Sequence, residues 1–392
     1  MSLPRYEKYK DSGVEWLGEV PEHWEVGAIK RYFTFLNNRR VPLSSEERGN
    51  KNGNFPYYGA SGIIDWIDEY IFDDDLILVS EDGANLLNRS TPIAFIAYGC
   101  YWVNNHAHIL APPDKNLIFW SLLIESIDLV PFITGSAQPK LTYEALANIL
   151  IASPTDVNEI EKISYFLNQE TTKIDDLIDE STNVIVLLKE KRQALISHAV
   201  TKGLNSNVPM KDSGVEWLGE VPEHWDVIAI KWISSVSRGA SPRPIDDPKY
   251  FDDAGEFAWV RISDVSASDG VLLETTQRLS ELGSTFSVKI KPDELFISIA
   301  GTVGKPCISK INACIHDGFV YFPELKLNPL FLYRIFESGF CYGGLGKLGT
   351  QLNLNTDTVG SIRIGVSPSI EIDKILLFLD QETSKIDDLI AE

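Results

Sequence analysis

The chain has 392 residues, 44% hydrophobic and 10% aromatic, with a formal charge of −21. That composition supports two or more packed domains and excludes a disordered polymer. The acidity excludes a uniformly basic nucleic-acid coat, and no apolar run approaches the roughly 20 residues needed to cross a bilayer.

Taken from the start, MSLPRYEKYK lacks the apolar core of a secretory signal. Cys100, Cys307, Cys314 and Cys341 form no Cys-x-x-Cys pair and suit reduced thiols. The expected location is cytoplasmic, with no membrane association.

Residues 10–26 read KDSGVEWLGEVPEHWEV, and residues 211–227 read KDSGVEWLGEVPEHWDV, identical at sixteen of seventeen positions. A second repeat lies further along each half. Residues 166–178 are FLNQETTKIDDLI and residues 378–390 are FLDQETSKIDDLI, identical at eleven of thirteen. Between these frames, 27–150 and 228–366 share almost nothing except a faint echo of Gly135–Leu141 in Gly349–Leu354. Each half therefore runs entry motif, variable body, helix. A period near 200 residues marks a duplication of whole domains rather than a solenoid. Constant frames around divergent bodies imply one architecture presenting two different recognition surfaces.

Both bodies carry short β-rich runs punctuated by Gly, Asn and Asp, such as 75–80 (DLILVS) and 294–299 (ELFISI). Helical patterns follow at 117–129 and 329–337. Each body reads as a mixed α/β domain with a curved sheet. After the first body, Ser153 and Pro154 supply an N-cap and a first helical residue, and Ser367 and Pro368 repeat the signal. From there Ile160, Ile163, Leu167, Ile174, Leu177, Val184, Leu188 and Leu195 recur at spacings of three, four or seven, the seam of a coiled coil. The second copy, returning from its body, is expected to lie antiparallel to the first, leaving 184–199 short of a mate. The expected order is recognition domain 1–152, helical spacer 153–204, recognition domain 205–366 and C-terminal helix 367–392: an α/β (α+β) chain of two domains separated by antiparallel helices.

The candidate DNA-facing residues are Arg39, Arg40, Lys51, Asn52, Tyr57, Tyr58, Arg89, Asn105, His106 and Lys140 in the first body. In the second they are Arg238, Arg243, Arg261, Lys305, Lys347, Gln351 and Asn353. Arg and Lys bond guanine edges or phosphates, and Asn and Gln bond adenine. Acidic and basic residues nearly balance from 227 to 366, 15 against 14, so any DNA-facing patch is small. His106 and His108 alternate as on one face of a strand but have no acidic or Cys partner at metal spacing, so no metal is expected. Trp16, Trp24, Trp217 and Trp225 read as anchors holding the bodies to the helices. The Gly343–Gly349 run lacks the Ser or Thr of a phosphate loop at Leu348. Asp293, Glu324 and Lys326 match the acidic-acidic-Lys pattern of nucleases only loosely. No catalytic residue and no cofactor is assigned.

These residues resemble the specificity subunit of type I restriction-modification enzymes, HsdS. The resemblance rests on Gly13–Trp24, its copy at Gly214–Trp225, and the helical segment ending in Lys189–Ile196 (KEKRQALI). It implies two target-recognition domains, each reading half of a bipartite site on double-stranded DNA. It also implies docking of methyltransferase subunits, which use S-adenosylmethionine, along the spacer; Ile174, Leu177, Ile185, Leu188 and Leu195 are the expected contacts. Separate motor-nuclease subunits would join through the complex. The competing reading, a coiled-coil interaction scaffold that never touches DNA, draws on the acidic charge.

Overall fold

A computed structural model of the chain describes residues 5–135, 138–343, 345, 347–348, 351–352 and 354–392, with backbone alone at 347–348 and 351–352. The chain divides into two compact units, residues 1–179 and 180–392.

Both units contain the same device ahead of their bodies. In the first, strands Tyr9–Asp11 and Glu19–Pro21 pair antiparallel. The connecting turn places Gly13 and Gly18 at φ of 71° and 59°, conformations a side chain resists. In the second, Met210–Asp212 pairs with Glu220–Pro222, with Gly214 and Gly219 at 66° and 60°. Next, the strand entering each body pairs antiparallel with the strand leaving it. Glu25–Ala28 lies beside Leu150–Ser153, and Asp226–Ala229 beside Arg363–Val366. Each body is thus a closed excursion from a two-stranded base.

Within the bodies, the strand order repeats although the sequence does not. The first body has a sheet ordered Gly62–Ile67, Asn52–Gly59, Cys100–Val103, Phe72–Asp73. The second has Arg278–Leu279, Phe257–Val260, Ala313–Ile315, Val288–Ile290. In both, the middle pair is parallel and its neighbours antiparallel. The other sheet runs Thr34–Phe35, Ala107–Ala111, Leu76–Ser80, Ala94–Ala97 in the first body. Its counterpart is Ser237–Arg238, Phe319–Tyr321, Leu295–Ser298, Pro306–Ser309, extended by Val271–Leu272. Leu76–Ser80 and Leu295–Ser298 are buried at every residue, as expected of central strands covered on both faces. A helix packs on each of these sheets. Leu117–Glu125 buries Phe119, Trp120 and Ile124, and Pro329–Glu337 buries Phe331, Leu332, Ile335 and Phe336.

The long helix spans Val157–Lys202. It starts later than Ser153 and Pro154 suggest, because Ser153 is the last residue of the strand paired with Glu25–Ala28. Asp156 opens the helix instead: its carbonyl accepts from Ile160 and its carboxylate from the Asn158 amide. Ile160 lies in the core of the first unit. In the second unit Ile196, Ala199 and Val200 share a core with Ile372, Ile375 and Leu379 of the C-terminal helix Ser369–Ala391. Arg192 Nε meets Asp387 Oδ1 at 2.9 Å, while Gly203, further on, lies beside Glu371. The two helices therefore run antiparallel there. Of the stretch 184–199 expected to lack a mate, the part from Arg192 onward has one, whereas Val184, Val186 and Leu187 are exposed.

Candidate nucleic-acid interface

In the first body, the turn before Ala107–Ala111 meets the turn after Leu76–Ser80. Glu81 N donates to His106 O at 2.9 Å, and Asn104 N to Tyr58 O at 3.1 Å. Gly83 N bonds Pro139 O and Leu141 N bonds Glu81 O, which draws the 138–141 segment into the same place. Ser80 Oγ donates to Ala60 O in the neighbouring hairpin.

Glu81 is the electrostatic centre of this junction. Its carboxylate accepts from Arg40 and lies 3.3 Å from Lys140 Nζ and 3.6 Å from His108 Nδ1. Burial opposes its charge, but bonding to Arg40 and Lys140, with the Arg40 charge, holds it below the usual carboxylate range. His108 is fully buried, accepts from Asn37 Nδ2 at 2.9 Å and donates through Nε2 to Leu141 O at 2.8 Å. Burial pushes this imidazole below its ordinary value. Outside this buried set, His106 Nδ1 sits 2.9 Å from both oxygens of Asp82, with its side chain 45% exposed. His106, Asp82 and Asn105 form the accessible polar edge of the first body.

The second body places a cleft at the corresponding turn. It measures about 1030 Å³ and is lined by Asp246, Asp252, Asp253, Trp259, Arg261, Gln277, His316 and Asp317, among others. Asp317 Oδ1 accepts from Ser241 Oγ at 2.7 Å and Oδ2 from Arg243 Nη2 at 2.9 Å. The Ser241 bond and the Arg243 charge hold its carboxyl below the ordinary range against partial burial. His316 Nδ1 accepts from Gly318 N at 2.7 Å, and burial pushes the ring below its ordinary value. The neutral ring then carries its proton on Nε2.

The candidate residues from the sequence distribute unevenly over these features. Arg40 and Lys140 belong to the Glu81 cluster. Tyr57 is fully buried, its hydroxyl accepting from Leu43 N at 2.9 Å. Tyr58 is half-buried against Phe95 and Tyr101. Arg39 covers the Phe72 ring and donates to Ile71 O. Lys51 bonds Glu69, Asn52 bonds Gly49 O, and Arg89, at φ 46°, is tied to Glu125 and Ile127 O. Asn105 and His106 come together at the accessible edge. In the second body Arg243 and Arg261 reach the cleft region, and Arg238 Nε donates to Asp317 O. Lys305 points elsewhere, its Nζ bonded to Ser266 O and Ser268 O. Asn353 lies outside the described residues, as do the side chains of Lys347 and Gln351.

Sequence reasoning missed Glu81, Asp82, Gln277, His316 and Asp317. The signal was available at one of them: His316, like the candidate His106, falls one to three residues ahead of a buried apolar strand, where a turn exposes polar groups. The acidic partners of His106 and His108, Asp82 and Glu81, come from a turn 24 or more residues away, beyond any spacing rule. Asp293 pairs with Lys310 at 2.6 Å rather than completing a nuclease set. Among the described residues, no group of three or more His, Cys, Asp or Glu could hold a metal, and no helix is long and apolar enough to cross a membrane.

The sequence pattern of the family described as type I restriction modification DNA specificity domain matches residues 21–186. A Haemophilus influenzae protein, assigned as the type I restriction enzyme specificity subunit S.HindORF215P, is 28% identical over 355 residues, 88% of this chain and 84% of the relative. The chain thus carries the pattern of a type I restriction-modification DNA specificity domain and is similar over most of its length to a type I specificity subunit. The MjaVIII specificity subunit of Methanocaldococcus jannaschii is 23% identical over 56% of this chain and 51% of its own. Among solved structures, a chain from a type I restriction-modification system superposes with a TM-score of 0.66 at 14% identity, covering 95% of this subunit and 93% of that chain. The HsdS subunit of Thermoanaerobacter tengcongensis gives 0.51 at 13%, over 94% and 91%. At such identities the structures speak for the fold. Specificity subunits are the non-catalytic members of their enzymes, which sets aside the nuclease reading, and the DNA specificity domain disfavours the scaffold one.

Proposed function

We propose that this subunit reads a bipartite site on double-stranded DNA, one half through each body, within a cytoplasmic restriction-modification complex. One observation carries the reading: two bodies of the same strand order, on nearly identical frames, present different polar groups at the corresponding turn. The first offers His106, Asp82 and Asn105, and the second offers His316, Asp317 and Arg243. Selection would act on the turns and not on the strands, which accounts for frames kept constant around divergent surfaces.

In this reading recognition domains 1–152 and 205–366 are joined by spacer 153–204, and 367–392 braces the second. The helical residues Ile174 and Leu177, which are 56% and 61% exposed, would take methyltransferase subunits together with the half-buried Ile185, Leu188 and Leu195. Motor-nuclease subunits would join through that assembly. With an overall charge of −21, the subunit alone releases few counterions from phosphates, so partners would supply much of the affinity. The test is to co-express the chain with the methyltransferase subunit of its own system and map the methylated positions. A two-part motif with a fixed gap is expected; methylation of a single contiguous motif would overturn the proposal.

A further inference from the structure

The cleft of the second body has walls that decide what can enter it. Asp246, Asp252, Asp253 and Asp317 line it against Arg261. An anionic wall repels phosphate, whereas the amino group of a base edge can donate to it. At the bottom of the same turn, two groups of opposite hydrogen-bonding character sit side by side. His316 is held with Nδ1 accepting from Gly318 N, which leaves Nε2–H as a donor with no partner among the described residues. The Asp317 carboxylate is fixed by Ser241 and Arg243 and keeps lone pairs free, its side chain 39% exposed. The His316 ring is braced by Phe319, 4.6 Å away between centroids, so the donor is positioned before any ligand arrives. Arg243 itself is exposed beside the cleft, paired with Asp317.

Among the four bases, the major-groove edge of adenine offers the matching pair: the N6 amino group donates and N7 accepts. Guanine offers two acceptors there, and its O6 would face the carboxylate. We propose that the second body reads an adenine in its half-site through His316 and Asp317, with Nε2–H donating to N7 and the Asp317 carboxylate accepting from N6. This rests on the proposed DNA reading and extends it to named residues and one base.

The experiment maps methylation by the chain co-expressed with its methyltransferase subunit, for the parent, Asp317→Ala and the near-isosteric Asp317→Leu, which has no acceptor, alongside competition gel shifts with duplexes substituted at each position. Both variants should lose adenine-over-guanine preference at one position of one half-site. A loss of roughly ten- to hundredfold is expected for a bidentate contact. The other half-site, unchanged, reports that the complex is folded. If Asp317→Ala abolishes binding, Asp317→Leu alone decides. A variant that binds and keeps the parental preference at every position overturns this inference while leaving bipartite reading intact. A change at a position occupied by any base other than adenine overturns it too. A parent that marks no bipartite motif removes both.

Discussion

The entry motif occurs twice with one difference in seventeen residues, yet it is locked in place by different forces. In the first unit, Glu159 collects three donors: Tyr6 Oη at 2.8 Å, His23 Nε2 at 2.8 Å and Trp24 Nε1 at 2.9 Å. Trp24 is only half-buried and Tyr6 packs edge-on against it. In the second unit, His224 still meets its glutamate, Glu371, at 2.8 Å. Trp225, however, is fully buried in a core with Ile196, Ala199, Val200 and Ile364, and its Nε1 is without a partner among the described residues. The same motif is held by charge-assisted hydrogen bonds where the helix is only beginning, and by apolar packing where two antiparallel helices cover it.

That contrast sets the order of expected effects. Trp225→Ala should destabilise the second unit by about 3–5 kcal/mol, the range for emptying a packed aromatic site. Trp24→Ala should cost less, since it removes mainly one hydrogen bond to a charged group, about 1.5–3 kcal/mol. Denaturant unfolding of the full chain followed by fluorescence measures both, and equal losses would erase the distinction.

Glu159→Ala and Glu371→Ala reverse the ranking. Glu159 leaves three donors unmatched and Glu371 one, so the first unit should lose more, by about 1–3 kcal/mol. A larger loss from Glu371→Ala would show that hydrogen bonding does not secure the first frame.

A smaller, pH-dependent effect separates the bodies further. His108 is pushed below its ordinary value by burial, so the unfolded chain takes up its proton first. Its contribution is complete above about pH 6.5 and declines as pH falls below that. Glu81, depressed below the carboxylate range, contributes above its ordinary value and loses that contribution as pH falls through its lowered one, a more acidic window. The melting temperature should therefore drop from pH 7.5 to 5.5, and His108→Gln should flatten that drop. His316, displaced in the same direction, leaves a residual slope that His316→Gln removes. Parallel slopes for parent and His108→Gln would contradict the assignment.

How much of this was legible in the sequence depends on the range of the interaction. The frame was legible because identity over sixteen residues needs no structure, and the helix pattern because its apolar spacing is local. The helix Pro329–Glu337 falls where the pattern put it. The Val157 helix start was misjudged because Ser153 is claimed by a strand partner 128 residues earlier, Glu25. Arg40, Lys140 and Tyr57 have the side-chain chemistry of DNA readers, but a buried carboxylate and a core site engage them. Composition names the chemistry a residue can do, and tertiary contacts decide which residues remain free to do it. The shared strand order of the two bodies was invisible in sequence for the same reason: strand pairing depends on burial pattern, which many sequences satisfy.

The central claim is that two bodies of one topology read two half-sites independently. It is tested most directly by replacing residues 27–150 with the corresponding body of another specificity subunit, keeping both frames, and mapping methylation in cells carrying the methyltransferase subunit. The account predicts a bipartite motif in which one half is new and the other half, read by the second body, is unchanged. A motif altered in both halves would contradict it.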